Sequence, residues 1–264
     1  MGRKKPPGHT NKFKPYGIYF DESAREEATK DDITDAWTKT GQFAYVFTAA
    51  TVNQRNKGRL ESQLLDLRRE MTNEVLRVAP HLETHKSLKD GHPLEIHAVD
   101  LYQSGGIYRE IKRVDNLFWH KQHDWLERAL EIGSHPGVKY HFQTSSTEQN
   151  ATSWSSVPKL DDSLLRYLPF EKVKNKIKSM QSNPYFTSFP ILLSRIDDYL
   201  ISKHGKGDLY CHTNFDAKGY STLDSFAHVR ARGHYSRIKS PEFMTCTQEP
   251  LIQLADIAGY VLLQ

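Results

Sequence analysis

Residues 43–52, FAYVFTAATV, carry apolar or β-branched side chains at odd and even positions alike, and no other run restricts the fold as much. A strand that is apolar on one parity can turn its other side to water, whereas one apolar on both must be covered twice. The run is therefore predicted to be an interior strand of a sheet with a layer on each face. One layer follows at once. Leu60, Leu64, Leu67, Met71, Val75 and Val78 recur at three- and four-residue steps, a single helical stripe, which Pro80 ends.

The rest of the chain repeats these two periods. YGIYF (16–20) predicts a short opening strand, with the polar stretch Asp21–Thr40 as loop. LEIHAV (94–99) alternates, with Leu94, Ile96 and Ala98 on one side and Glu95, His97 and Val99 on the other, and predicts a strand. Val114, Leu117, Phe118, Trp125, Leu126 and Ala129 outline a second helix stopping before Gly133, and VKYHFQT (138–144) alternates again. A helix is predicted from about Pro190 to Lys203, with Pro190 in its first turn and Gly205 and Gly207 closing it. DLYCHTNF (208–215) and EFMTCT (242–247) read as strands, and PLIQLADIAGYVLLQ (250–264) as a last helix. Strands alternating with helices indicate an α/β fold. We expect a basic, disordered arm over residues 1–14, then a single domain over 15–264 with a polar loop or insertion near 144–184.

Residues 1–14 hold five Lys or Arg and no acid, so the net charge of +4 resides in the arm and the remaining chain is near neutral. Such an arm suits salt-sensitive contact with phosphates, or simply solubility. Two cysteines, Cys211 and Cys246, are too few for a disulfide framework and lack zinc-knuckle spacing. Without a membrane-length apolar run or a signal-peptide pattern, the expectation is a cytoplasmic protein with no membrane contact.

Three acids occupy comparable places. Asp21 follows the first predicted strand, Asp216 follows DLYCHTNF, and Asp256 lies in the last helix, where Gln253, Asp256, Tyr260 and Gln264 form a polar strip on an apolar cylinder. Strand ends are where α/β sheets place ligands. Each acid also has a plain reading, as a turn cap, a strand exit or an exposed side chain. Two carboxylates about 4 Å apart repel by roughly 4 kcal/mol at an effective dielectric of 20, so a cluster needs a neutraliser. Mg²⁺ or Mn²⁺ fits hard oxygen donors, and a pair of such ions supports phosphodiester hydrolysis. Strand alternation sends Asp21 and Glu22 to opposite faces, which favours Asp21 as the ligand.

The ordered set YFDES, EIHA, NFD and IQLADIAGY resembles the DUF-thirty-eight-hundred family of bacterial and phage-associated proteins, over residues 16 to the end. The resemblance implies an RNase H-like fold, a mixed central sheet flanked by helices, with an acidic site that holds divalent metal and cuts nucleic acid. By motif, Asp21 is the first-strand carboxylate, Glu22 its neighbour, Asp216 the middle-strand acid and Asp256 the helix acid. Glu95 and His97 match an E-x-H-A strand, where His97 would orient a ligand, move a proton or serve only as a hydrogen-bonded structural residue. The chain departs from the pattern at Ala24, where glycine is common, and at Thr245 and Cys246, where acids or Asp-Ser often precede the closing helix. The closing helix is still apolar at Gln264, as though family-like elements followed.

HVRARGHYSRIK (228–239) offers Arg230, Arg232, Arg237 and Lys239 as phosphate contacts or as a solvated connector. His81 with His85 and His120 with His123 have helical spacing but no H-E-x-x-H, which argues against zinc. No Walker loop, dinucleotide fingerprint or Gly-x-Ser-x-Gly elbow occurs. The expected activity is therefore that of a metal-dependent nuclease, with a non-catalytic nucleic-acid or protein-binding module as the alternative. Hydrolysis of a small phosphorylated compound is a third option.

Overall fold

A computed structural model describes residues 13–24, 44–88, 91–146, 184–212 and 235–263, together with Phe226 and Arg230. Its centre is a five-stranded mixed sheet. The strands are β1 (Lys14–Ala24), β2 (Ala44–Asn53), β3 (Val138–Ser146), β4 (Gly205–His212) and β5 (Glu242–Met244), in spatial order β3-β2-β1-β4-β5. β1 pairs antiparallel with β2, and β2 with β3, while β4 runs parallel to β1 and β5 parallel to β4. The α/β class is as the periodicities indicate, and 44–53 is an interior strand.

Covering on both faces explains the double parity of the strands. From β1, Tyr16, Ile18 and Phe20 join one core together with Phe47 and Ala49 of β2; Tyr19, Ala50 and Val52 join the other. The first core is closed by α5 (Pro184–Ser202) through Phe189, Leu193, Ile196 and Leu200. The second is closed by α1 (Gln54–Val78), α4 (Trp119–Gly133) and α6 (Ile252–Leu263), with the short helices α2 (Ala98–Gln103) and α3 (Tyr108–Lys112) at its rim. Asn53 caps α1, its side chain accepting from the Arg55 amide at 3.0 Å.

Four expectations are corrected. β1 begins at Lys14, which the sequence reading assigned to the basic arm, and runs to Ala24, so Asp21 and Glu22 lie in the strand and not in a loop. α5 begins at Pro184, which places Pro190 inside the helix. Gly205 and Gly207 open β4 instead of closing a helix, because β-carbons there have no room: one at Gly207 would lie 2.5 Å from Ile18 Cδ1 and 3.2 Å from Leu200 Cδ1. Residues 94–97 form no strand, and α2 begins at Ala98. Residues 1–12 and 147–183, which hold most of the expected arm and insertion, lie outside the described residues. Among the described residues no helix is long and apolar enough to cross a membrane.

Candidate active site

The acidic site is built around the segment that mimics a strand without pairing to one. Leu94, Ile96 and Ala98 are buried on one side, as their alternation predicts. Their amides are met by side chains of two helices: Leu94 N–H donates to Thr72 Oγ1 at 2.8 Å, Ile96 N–H to Gln253 Oε1 at 2.5 Å, and Ala98 N–H to Asp256 Oδ2 at 3.2 Å. Three side-chain oxygens thus replace a neighbouring strand. On the carbonyl side, the buried Arg68 guanidinium donates to Pro93 O at 2.8 Å, Leu94 O at 2.8 Å and Cys246 O at 3.1 Å. The polar strip of the last helix therefore faces inward, where Gln253 and Asp256 hold this segment.

Extended backbone at His97 places Glu95 and His97 on the side away from the core, where His97 Nε2 lies 3.3 Å from Glu95 Oε2 and Nδ1 lies 3.9 Å from Asp256 Oδ2. Thr247 Oγ1 donates to Glu95 Oε1 at 3.4 Å. Asp21 reaches the same place from the sheet. It shares the parity of Tyr19, whose side chain packs among the α1 and α6 residues, and Asp21 Oδ1 accepts from the Glu22 amide at 2.8 Å. A pocket of about 180 Å³ results, lined by Asp21, Glu22, His97, His212, Gln253 and Asp256, with Ile96 and Cys246 behind them.

The electrostatics are those of acids held together. Burial pushes the Asp21 carboxyl well above the usual carboxylate range, and the charge of Asp256 pushes it further, against the opposing amide of Glu22. Asp256 is raised by burial as well, opposed by His97 and by the Ala98 amide. The hydrogen bond to Glu95 raises His97 to about 9 against its own burial, with Asp256 adding to the effect; Glu95 is lowered in return. His212 is lowered by burial and stays neutral near pH 7.

Comparison with family models, with curated proteins and with solved structures returned no match. The family resemblance accordingly rests on its motif residues alone.

Of the residues singled out in the sequence, Asp21, Glu22, His97 and Asp256 line one pocket, and Glu95 is joined to it through His97. Asp216 and Arg232 lie outside the described residues. β4 reaches the pocket beside Asp21, since Phe20 pairs with Cys211 and His212 is among the lining residues. Arg237 and Lys239 are not brought to the acids. Gly207 bridges to Ile238, and Lys239 Nζ lies 2.5 Å from Asp208 Oδ1. Asp208 pairs with Gly17, so this contact lies about 13 Å along the strand from Asp21. Arg237 stacks on Phe13 at 4.2 Å, and Arg230 donates to Ser240 Oγ at 3.1 Å. Sequence closeness misled here because residues 235–239 run along the β4 edge at the opposite end of the strand.

Two contributors escaped the sequence reading. Arg68 occupies a place in the apolar stripe of α1, four residues after Leu64 and three before Met71, and that position was its one signal. His212 had none beyond its place at a strand end. Among the described residues no group of three or more His, Cys, Asp or Glu is gathered as a metal cage. The hard-oxygen pair Asp21 and Asp256, whose mutual charge a cation would relieve, still matches the donors that Mg²⁺ or Mn²⁺ accepts.

Proposed function

We propose that this chain is a divalent-metal-dependent nuclease of RNase H-like architecture, acting on phosphodiester bonds of DNA or RNA. The observation that carries the reading is the convergence of Asp21, from the central strand, and Asp256, from the last helix, on one pocket where both carboxyls are buried and the charge of Asp256 disfavours ionisation of Asp21. The mixed sheet with helices on both faces is in keeping with the family resemblance.

In this reading Asp21 and Asp256, joined by Asp216 from outside the described residues, would hold Mg²⁺ or Mn²⁺, whose chemistry would be water activation and charge relief at the phosphate. His97, cationic through Glu95, steadies the Asp256 carboxylate and in this reading would be the group that protonates a departing oxygen. Nucleic acid is the expected partner, with the basic arm adding contacts to phosphate, in a phage-defence or mobile-element setting.

The first test is calorimetric titration of Mn²⁺ into wild type, Asp21→Asn and Asp256→Asn. Equal affinity in all three removes the metal assignment. The second is turnover: labelled DNA and RNA should be degraded in Mn²⁺ by wild type and spared by the double variant.

One observation favours a second reading. His97 already offers positive charge to Glu95 and Asp256, so the acids have a partner without metal, as suits a non-catalytic binding module. That reading requires nucleic-acid or protein association that survives loss of both aspartates.

A further inference from the structure

Beside the His97–Glu95 pair lies a second pocket, of about 230 Å³, lined by both residues and sharing His97 with the acidic pocket. Its interior holds an unused donor. Tyr108 is 3% exposed and its hydroxyl has no hydrogen-bond partner among the described residues, although a buried phenol ordinarily finds one. Burial raises this phenol far above its ordinary range, and the charge of Asp100 adds to the rise, so the hydroxyl is kept protonated next to a carboxylate that it does not bond.

The Asp100 carboxylate stands against the bare turn of Gly105 and Gly106; a β-carbon at Gly106 would lie 2.8 Å from its Oδ2, and one at Gly105 would collide with Oδ1. No described residue donates a hydrogen bond to this carboxylate. The pocket thus has the Asp100 carboxylate as its acceptor and the Tyr108 hydroxyl as an unengaged donor, beside a Glu95 already satisfied by His97 and Thr247, while the lining residues Lys86 and His92 are exposed.

This polarity selects a ligand. A bare cation suits Asp100 but is repelled by Lys86, and a bare anion suits Lys86 but not Asp100. A molecule that offers N–H donors at one end and phosphate at the other satisfies both. Guanine presents its ring N1–H and exocyclic amino group side by side, the geometry that one carboxylate accepts, and its carbonyl oxygen can take the Tyr108 proton.

We propose that this pocket is a guanine-nucleotide subsite, with Asp100 accepting from the base edge, Tyr108 donating to it, and Lys86 and His92 meeting phosphate. As a substrate subsite it rests on the nuclease reading, and gives that enzyme a preference for guanine beside the bond it cuts; as a binding site it stands separately.

The test titrates 5′-GMP, 5′-IMP, 5′-AMP and inorganic phosphate into the full-length chain in EDTA, followed by NMR chemical shifts or calorimetry. The expected order is GMP tightest, IMP weaker for want of the amino group, then AMP and phosphate. Tyr108→Phe, which removes only the hydroxyl, should weaken GMP about five- to tenfold, and Asp100→Asn should abolish the preference of GMP over AMP, with thermal melts confirming that both variants fold. Indistinguishable binding of the four ligands overturns the proposal, as does GMP affinity untouched by both variants, or tighter binding of agmatine than of GMP. Cleavage is scored separately in Mn²⁺. Intact cleavage without GMP binding overturns the subsite alone, whereas absent cleavage with the GMP order preserved supports the subsite and counts only against the nuclease reading.

Discussion

Replacing Arg68 by methionine should both destabilise the protein and loosen the candidate site. The guanidinium is 1% exposed and donates to three carbonyls, those of Pro93, Leu94 and Cys246, at 2.8, 2.8 and 3.1 Å. A hydrogen bond from a charged donor contributes about 1.5–3 kcal/mol, and a buried acceptor left without a donor costs about 1–3 kcal/mol. Against these stands the desolvation of the buried cation, several kcal/mol, which methionine removes while filling much of the same volume. Burial also pulls the Arg68 pKa down, a sign of that same cost. We expect a net loss of about 3–5 kcal/mol, the sum for three carbonyls left without donors at about 1–3 kcal/mol each, reduced by the relieved desolvation. Urea unfolding at equilibrium measures it. Hydrogen exchange supplies the local readout, since the amides of Leu94, Ile96 and Ala98 should lose protection beyond the global change. A loss under about 1 kcal/mol with exchange unchanged would refute the view that Arg68 holds the segment bearing Glu95 and His97.

Further outcomes follow from the charges and from packing. Asp21 is held above its ordinary pKa of 3.8, so the folded protein retains a proton that the unfolded chain gives up, and its contribution to stability falls as pH rises from about 4 through the raised value. In EDTA, Asp21→Asn should therefore be more stable than wild type by an amount that grows over this window and shrinks when Mg²⁺ is added; urea melts at several pH values check it, and a wild type that gains on the variant with pH refutes it. His97 has the opposite chemistry but the same slope. Its pairing with Glu95 stabilises fully below pH 6.5 and is lost as pH rises through about 9, so the imidazole of the metal-free protein should titrate near 9 by NMR and return toward 6.5 in Glu95→Gln. A wild-type midpoint below 7 contradicts the pair. Gly259→Ala brings a β-carbon 2.6 Å from Ser23 Oγ and 2.9 Å from Thr48 Oγ1. The crowding cost of about 1–3 kcal/mol should exceed the roughly 1 kcal/mol gained in helix propensity, and Ser23→Ala should recover part of the loss in thermal melts.

What the sequence displayed was period, and what it concealed was partnership. β2, β3 and the apolar stripe of α1 were legible because packing on a sheet face imposes one spacing over many residues. LEIHAV carried a true alternation as well, with Leu94, Ile96 and Ala98 buried and Glu95, His97 and Val99 half-buried; its hydrogen-bond partners are what differ, being Thr72, Gln253 and Asp256 in place of a strand. No spacing rule reports that. In the same way the acids Asp21 and Asp256 were visible as residue types in place, whereas the clamp that aligns the segment between them was hidden in a single arginine on an apolar stripe. Proximity along the chain was a poor guide for Arg237 and Lys239, which the bridge at Gly207 holds to the far end of β4.

The middle strand of the sheet is also the first one synthesised. β1 can pair with β2 early, but its other edge waits for residues 205–212, so until these emerge the nascent chain carries an open row of amides and carbonyls beside Ile18 and Phe20. Asp21 and Asp256 arrive at opposite times, and until α6 docks no half-made polypeptide brings these two carboxylates together. Charge crowding of this kind penalises folding only at its final stage, after both cores are available to absorb it.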